Sequence, residues 1–386
     1  MNKILLYLNY ITYIISCIIP KKKNRWVFGA WFGNRISDNS YALYKYIKES
    51  FPDIEAIWIC NNTDLAKKEG INAVKRNTIQ AVWKCLTARV SVMNQGYLDF
   101  GDLNWIFKSY KVQLWHGVPW KKIGEDTTDE KTGLLHLFSH KTFVFVNRYD
   151  LYIAPSDNTR EVLKTAFLIG DDKILSVGQP RNEQLLDKKY CQTARKKLEE
   201  KIGAFDNIIV YMPTFRDKKA SPFTFVSIGE EIKHLLENDN AVILEKQHYV
   251  DQQKNQNNCE NLQRVINVAD YESQDLLAAA DILVTDYSSC FFDFVLKDKP
   301  IIHYLYDFEQ YKNIDRGLYY SIEEATAGKV VYNKEELLSA LSLTLQGKDN
   351  EMERRQQIRD TFDTYESSDN SKQICEKIMI QIGQRD

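Results

Sequence analysis

Short apolar runs, most of them four to six residues long, recur down this chain with amphipathic stretches between them. That alternation is the tightest constraint on its fold. Parallel strands need crossovers of a dozen or more residues, usually helical, so such a chain is expected to build α/β sheets covered on both faces. The first series runs "RWVFGAW", "EAIWIC", "INAV", "RVSVMNQG", "KVQLWHG", "LYIAPS" and "ILSVGQP". A helix over "SDNSYALYKYIKES" follows the first run and begins near the capping residues Asp38 to Ser40. A second series runs "NIIVYMPTF", "AVILEKQHY", "RVINV", "DILVTDYSS" and "PIIHYLY". Between the two, residues 182–206 are charged, helical in pattern and strandless, which reads as a linker.

The expected fold class is α/β: two Rossmann-like domains whose parallel sheets face a central cleft. The boundaries expected are 1–24 for an N-terminal helix, 25–190 for the first domain and 191–206 for the linker. Residues 207–365 form the second domain and 366–386 a C-terminal helix. From about residue 334 the chain reads as helices, with "KDNEMERRQQIRD" a solvated one. Neither domain has a G-x-G-x-x-G or Walker A loop, so NAD and P-loop chemistry are not supported.

Residues 4–19, "ILLYLNYITYIISCII", carry no charge and are followed by "PKKKNR". As a helix this segment spans about 24 Å, short of a hydrocarbon core of roughly 30 Å. Asn9, Thr12 and Ser16 fall on one narrow polar stripe. The pattern predicts a helix lying in a membrane interface, with Lys21, Lys22 and Lys23 facing anionic lipid. An ordinary buried helix and a cleaved signal peptide are the rival readings. The basic cluster directly after the apolar run and the lack of a small-residue cleavage site argue against the signal. The expected location is the cytoplasmic face of a membrane, peripheral or anchored.

The 386 residues include 51 basic and 53 acidic side chains, a net charge of −2, and no overall field draws the chain to nucleic acid. No nucleic-acid partner is expected. Seven scattered cysteines without a C-x-x-C pair suit a reducing compartment rather than a disulfide or zinc framework.

In open α/β sheets, ligands bind at the carboxyl ends of the strands. Four clusters fall there: His116-Gly117 after "KVQLW", Pro213 to Asp217 after "NIIVYM", His248 after "AVILEKQ", and Thr285 to Ser289 after "DILV". Ser288 and Ser289 stand where "CFFDFVLKD" opens as a helix. Two hydroxyls and free backbone N–H groups at such an end suit a phosphate or diphosphate; simple helix capping is the bland alternative. Arg216 and Arg316 can add charge-assisted contacts to phosphate oxygens, although either alone is more often a surface ion-pair residue. His136 and His140 are spaced i, i+4 but lack the Glu of H-E-x-x-H, so they read as packing residues. His234 and His303 read as ordinary. No cofactor and no catalytic metal are expected.

"WHGVPWKKIG", "PTFRD", "VTDYSSCFFDFVLKDKPIIHYLYDFEQY" and "RGLYYSIEE" resemble, in order and spacing, the CDP-glycerol glycerophosphotransferase family, which includes teichoic-acid primases and polymerases and related capsule enzymes. The resemblance runs from about residue 25 to 365. It implies a GT-B fold, with an acceptor domain first and a CDP-polyol-binding domain second. It also implies transfer of glycerol phosphate or ribitol phosphate to a hydroxyl of a membrane-linked glycan or polyol-phosphate acceptor, with release of CMP. His116 matches the histidine thought to act as base, and an imidazole with a pKa near 6.5 suits that task. His248 resembles the second functional histidine. Thr285, Asp286, Ser288, Ser289, Arg216 and Arg316 would hold the donor, and Lys121 and Lys122 the acceptor's phosphate, unless those lysines form only a solvated turn. Val118 and Trp120 depart from the family's Thr and Leu, a change expected on the acceptor side. "EKQHYV" departs from Leu-Lys-x-His-Pro around His248. A nucleotide-sugar glycosyltransferase and a non-catalytic envelope-assembly scaffold are the alternative functions.

Overall fold

Parallel strands buried on both faces read as near-continuous apolar runs, as the central strand segments "NIIVYM", "AVILE" and "ILVT" of this chain do. The computed structural model describes residues 3–127, 148–214, 223–246, 264–308 and 317–384. It divides into two units, 1–116 with 123–183 and 365–386, and 117–122 with 184–364.

The first unit carries seven parallel strands: β1 (Lys22–Phe28), β2 (Glu55–Cys60), β3 (Ala73–Lys75), β4 (Ala88–Met93), β5 (Tyr110–Gln113), β6 (Leu151–Ala154) and β7 (Ile174–Ser176). Their order is β3-β2-β1-β4-β5-β6-β7. The second carries β8 (Asn207–Met212), β9 (Ala241–Glu245), β10 (Val265–Asn267), β11 (Ile282–Thr285), β12 (Ile301–Tyr304) and β13 (Lys329–Val331), ordered β10-β9-β8-β11-β12-β13. Both orders are of the doubly wound type, reversing beside the first strand of each unit. The fold is thus α/β with two parallel sheets. β13 is a strand the sequence pattern did not mark; it is an edge strand that opens on the exposed Lys329.

Each sheet is covered on two sides. In the first unit, Phe28 and Trp58 stack on neighbouring strands with centroids 6.5 Å apart, and Tyr44 from the helix Asp38–Ser50 meets Phe28 edge-on. The helix Asn370–Gly383 adds Ile374, Cys375 and Ile378 to the same cluster.

Three local expectations change. The stretch expected as a linker lies largely in the helix Lys188–Ile202, which buries Ala194 and Leu198 in the core of the second unit. The charge-rich helix Met352–Phe362 is only partly solvated. Its Arg355 is buried and holds Asp349 through two guanidinium nitrogens and Asp298 at 3.1 Å. The helix Asp38–Ser50 has no side-chain cap bond at Ser37, and Asp38 takes a left-handed φ of +70°. The Asp38 carboxylate is engaged elsewhere.

The N-terminal helix, Lys3–Ile18, is an element of the first unit. Its polar stripe points inward: Asn9 Oδ1 accepts from Asn104 N at 2.9 Å, and Ser16 Oγ accepts from Lys108 N at 3.2 Å. Asn9, Thr12 and Ser16 are all buried, while Tyr7, Tyr10, Ile11, Ile14 and Ile18 are exposed. Among the described residues no helix is long and apolar enough to cross a membrane.

Candidate active site

β5 ends at Gln113, and the chain then turns sharply. Trp115 takes φ +55° and Gly117 φ +139°, which bracket His116 with two left-handed residues. A Cβ is disfavoured at such angles, so glycine suits position 117 and strain is held at 115. Trp115 stacks on the imidazole with centroids 4.3 Å apart, and Trp31, from the loop after β1, approaches it at 5.7 Å.

Polar side chains from the same end of the sheet fix this turn. Arg181, just beyond β7, donates through Nη1 to the His116 carbonyl at 3.1 Å and to Asp38 Oδ1 at 2.7 Å. Trp31 Nε1 donates to Asp38 Oδ2 at 3.1 Å. Asn39 Nδ2 donates to the carbonyls of Leu114 and Trp115 and to Gln179 Oε1, while its own Oδ1 accepts from Arg181 N. The Arg181–Asp38 pair is buried, where an ion pair is sustained only by full hydrogen bonding.

His116 is partly buried, and its Nδ1 is enclosed with no hydrogen-bond partner among the described residues. Burial pushes the imidazole pKa below its usual 6.5; Asp38 and the Asn94 backbone oppose that, and Arg181 adds to it. The ring is therefore neutral, and able to accept a proton, at neutral pH. Behind it, Asp99 accepts from Phe32, Asn94 and Gln95 N–H groups, and burial raises its pKa to about 6 despite those bonds.

In the second unit, Thr285, Asp286, Ser288 and Ser289 come together at the carboxyl end of β11. Only the serines are open there. Thr285 is fully buried and donates its hydroxyl to the Met212 carbonyl at 2.7 Å, linking β11 to β8. Asp286 is fully buried as well; Oδ1 accepts from Thr214 N at 2.7 Å and Ser288 N at 3.2 Å. Both residues shape the loops instead of facing solvent. Ser288 and Ser289 are partly exposed at the start of the helix Cys290–Phe294, and Ser289 makes no side-chain cap bond. The Ser289 hydroxyl is not consumed by capping.

His303, on β12, is a core residue. Its Nε2 accepts from Ala327 N at 3.1 Å, Phe291 meets it edge-on, and burial drops its pKa to about 4. His234 lies exposed on the helix Glu230–Asn238. Arg216, His248, Arg316, His136 and His140 lie outside the described residues. Among the described residues no three His, Cys, Asp or Glu side chains converge as a metal-binding group.

Residues 117–122 form a short strap belonging to the second unit. Tyr319 N donates to the Trp120 carbonyl, Lys122 N to the Gly317 carbonyl, and Lys121 bridges antiparallel to Leu318. Trp120 is buried with Val118 in that unit's core, edge-on to Phe291 at 5.3 Å. The two departures from the family motif, Val118 and Trp120, thus fill a core beside the serine loop. The lysines ride on the same strap.

Asp38, Asn39, Gln179 and Arg181 did not stand out in the sequence. Their signal was position: "SDNS" follows the first strand and "GQPRN" the last, at the same sheet end as His116.

The model of the CDP-glycerol:poly(glycerophosphate) glycerophosphotransferase family matches residues 11–380. The chain is 30% identical over 392 residues to a teichoic acid poly(glycerol phosphate) polymerase of Bacillus spizizenii, covering 96% of this chain and 95% of that protein. It is 29% identical to a teichoic acid glycerol-phosphate transferase of Staphylococcus aureus, covering 96% of each. A structure of the wall teichoic acid polymerase TagF superposes with a TM-score of 0.82 at 24% identity, covering 99% of this chain and 95% of that one, a likeness of fold.

Proposed function

Since the chain belongs to the CDP-glycerol:poly(glycerophosphate) glycerophosphotransferase family and is thereby a polyol-phosphate transferase, we propose that His116 is the base that starts its transfer. The donor in this reading is a CDP-polyol carrying glycerol or ribitol. The acceptor is a hydroxyl on a membrane-linked glycan or polyol-phosphate chain, and the product belongs to teichoic acid or capsular polysaccharide. The observation that carries the reading is the turn at His116, clamped by Arg181 and Asn39 at the carboxyl end of the first sheet.

As the acceptor oxygen attacks the phosphorus bearing the polyol, its proton passes to His116. A new P–O bond forms and the bridging P–O bond breaks, its electron pair leaving with CMP. General-base assistance of this kind contributes roughly 10²–10⁴-fold. The Ser288 and Ser289 hydroxyls and the N–H groups of their turn hold the diphosphate. Thr285 and Asp286 keep that turn in shape, and Arg216, Arg316 and His248 complete the donor grip. Lys121 and Lys122, on the strap, supply charge to the acceptor's phosphate.

The same reading places the N-terminal helix on the cytoplasmic membrane surface in a GT-B enzyme. Its inward polar stripe and outward apolar residues support this, since water is a poor neighbour for that face. CMP release from CDP-glycerol and CDP-ribitol, with and without a membrane-lipid acceptor extract, tests the whole reading. Acceptor-dependent CMP release from one donor, lost in His116→Ala, is expected. UDP release from a UDP-sugar instead would replace the reading with a glycosyltransferase.

A further inference from the structure

The turn that carries Arg181 is held by a segment from the other end of the sequence. Residues 365–386 rejoin the first unit after the last residue of the second. On entering it the chain pairs with two loops at the carboxyl end of the sheet. Tyr365 N donates to the Pro155 carbonyl, after β6, and Gly178 N, after β7, donates to the Tyr365 carbonyl. The next residue, Glu366, meets the turn with its side chain. Its Oε1 accepts from Gln179 N and from Asn182 Nδ2, each at 2.9 Å. Its Oε2 accepts from Asn370 Nδ2 at 2.9 Å, and the same amide reaches the Gln179 carbonyl at 3.2 Å. Both main-chain groups of Gln179 are thus taken by the returning segment.

The fit at this contact is close. A Cβ on Gly178 would lie 2.3 Å from Glu366 Oε2 and 2.6 Å from Asn370 Nδ2, so only glycine lets the carboxylate reach the turn. From Gln179 the linkage runs on to His116 along two routes. Gln179 Oε1 accepts from Asn39 Nδ2, which also holds the Trp115 carbonyl at 3.2 Å. Two residues beyond Gln179, Arg181 Nη1 holds the His116 carbonyl at 3.1 Å. Asn39 Oδ1 closes the ring by accepting from Arg181 N at 3.2 Å.

We infer that Glu366 is a positioning residue for the transfer, fixing the turn 178–182 so that Asn39 and Arg181 keep their hold on the Trp115 and His116 carbonyls. The inference rests on the reading of His116 as the base. Two left-handed residues flank the imidazole, and a backbone of that kind keeps its shape only when its surroundings over-determine it. The two carbonyl clamps supply that determination, and Glu366 fixes the turn from which one clamp projects and against which the other is braced. A reacting group displaced by about 1 Å can lose roughly 10²-fold in rate, so aim is worth holding even from this far away in sequence. A carboxylate suits the task, because its charge-assisted bonds to N–H groups are roughly twice as strong as neutral ones.

The test is steady-state CMP release by the full chain, from whichever of CDP-glycerol and CDP-ribitol the wild type uses, beside donor calorimetry and a thermal melt. Glu366→Ala is expected to lower kcat about tenfold with donor affinity unchanged. Glu366→Gln keeps one oxygen for Gln179 N and Asn182 and is expected within about threefold of wild type. Glu366→Asp draws the carboxylate back by one carbon; a loss of about fivefold at a steady melt is expected, and this variant carries the test if the alanine chain does not fold. Tyr365→Phe loses only the neighbouring bond to Asp157 Oδ1 and is expected to keep wild-type kcat. In an Arg181→Lys background, Glu366→Ala should cost less than about twofold more, because both changes act through one turn. Wild-type kcat in Glu366→Ala and Glu366→Asp, with His116→Ala inactive, would overturn the role of Glu366 and leave the base in place. An undiminished loss in the Arg181→Lys background, or an equal loss in Tyr365→Phe, would make Glu366 a residue of the fold alone and overturn the proposal. Full turnover in His116→Ala would overturn the base reading itself.

Discussion

The indole of Trp120 donates to the main-chain carbonyl of Tyr320 at 2.9 Å. Four residues after His116, the chain is thus bolted by a buried aromatic to the segment that follows Arg316. The bolt makes residues 117–122 a fixed extension of the second unit rather than a loose hinge. Trp120→Phe, which keeps a ring and loses the N–H, is expected to cost about 1 kcal/mol. Trp120→Ala is expected to cost about 3–5 kcal/mol. Denaturant melts read both, and a loss as large in Phe as in Ala would show that the hydrogen bond, not the packing, holds the strap.

His116→Ala is expected to lower CMP release by roughly 10²–10⁴-fold while calorimetry shows donor affinity unchanged. Because burial depresses the imidazole pKa, the base stays unprotonated below pH 6.5. The acid limb of kcat/KM should therefore fall below that pH. A limb at or above 6.5 would remove His116 from the role.

Asp38 raises the His116 pKa and pairs with Arg181. Asp38→Asn should move the acid limb further down, because the charge favouring imidazolium is gone. Asp38→Ala leaves a buried guanidinium uncompensated and should cost about 3–5 kcal/mol in stability. Arg181→Lys should not restore activity, since one ammonium cannot reproduce the planar grip on carboxylate and carbonyl. The combined shift of pH limb and kcat separates a positioning role from mere loss of fold.

Ser288→Ala with Ser289→Ala should weaken CDP-polyol binding by about tenfold, the worth of roughly one hydrogen bond to a charged group. The melting temperature should hardly move, because Ser289 makes no capping bond. Calorimetry beside a thermal melt reads the two effects separately.

His303 titrates near 4 in the fold against an ordinary 6.5. Between those values the unfolded chain takes up a proton that the folded one refuses. Its contribution is complete above pH 6.5 and declines as pH falls towards 4, by roughly 3 kcal/mol in all. Replacing it with Gln should flatten that part of the stability–pH curve.

The sheets were legible because strands such as "AVILE" and "NIIVYM" are apolar without interruption, the mark of burial on both faces. His116 was legible because its motif is local. What was not legible is the support. Asp38 looks like a helix cap in one dimension, and only the alignment of β1 with the end of β7 shows that it answers Arg181, 143 positions away. The packing of Trp120 was hidden for the same reason: nothing in the motif itself shows that the strap runs into a core. Thr285 and Asp286 sit in a distinctive block, yet their burial shows them shaping the loop that presents the serines.

The first unit is closed by the last helix: Arg89 donates to the Ile382 carbonyl at 2.6 Å, and Ile374 and Ile378 complete the cluster around Trp26 and Phe28. During synthesis, then, the half that emerges first is the half finished last. Its sheet must wait, with one side unsealed, until the second unit has been made and the tail returns. A stop codon between residues 364 and 374 therefore removes no residue of the second unit and still strips Ile374, Cys375 and Ile378 from the core of the first.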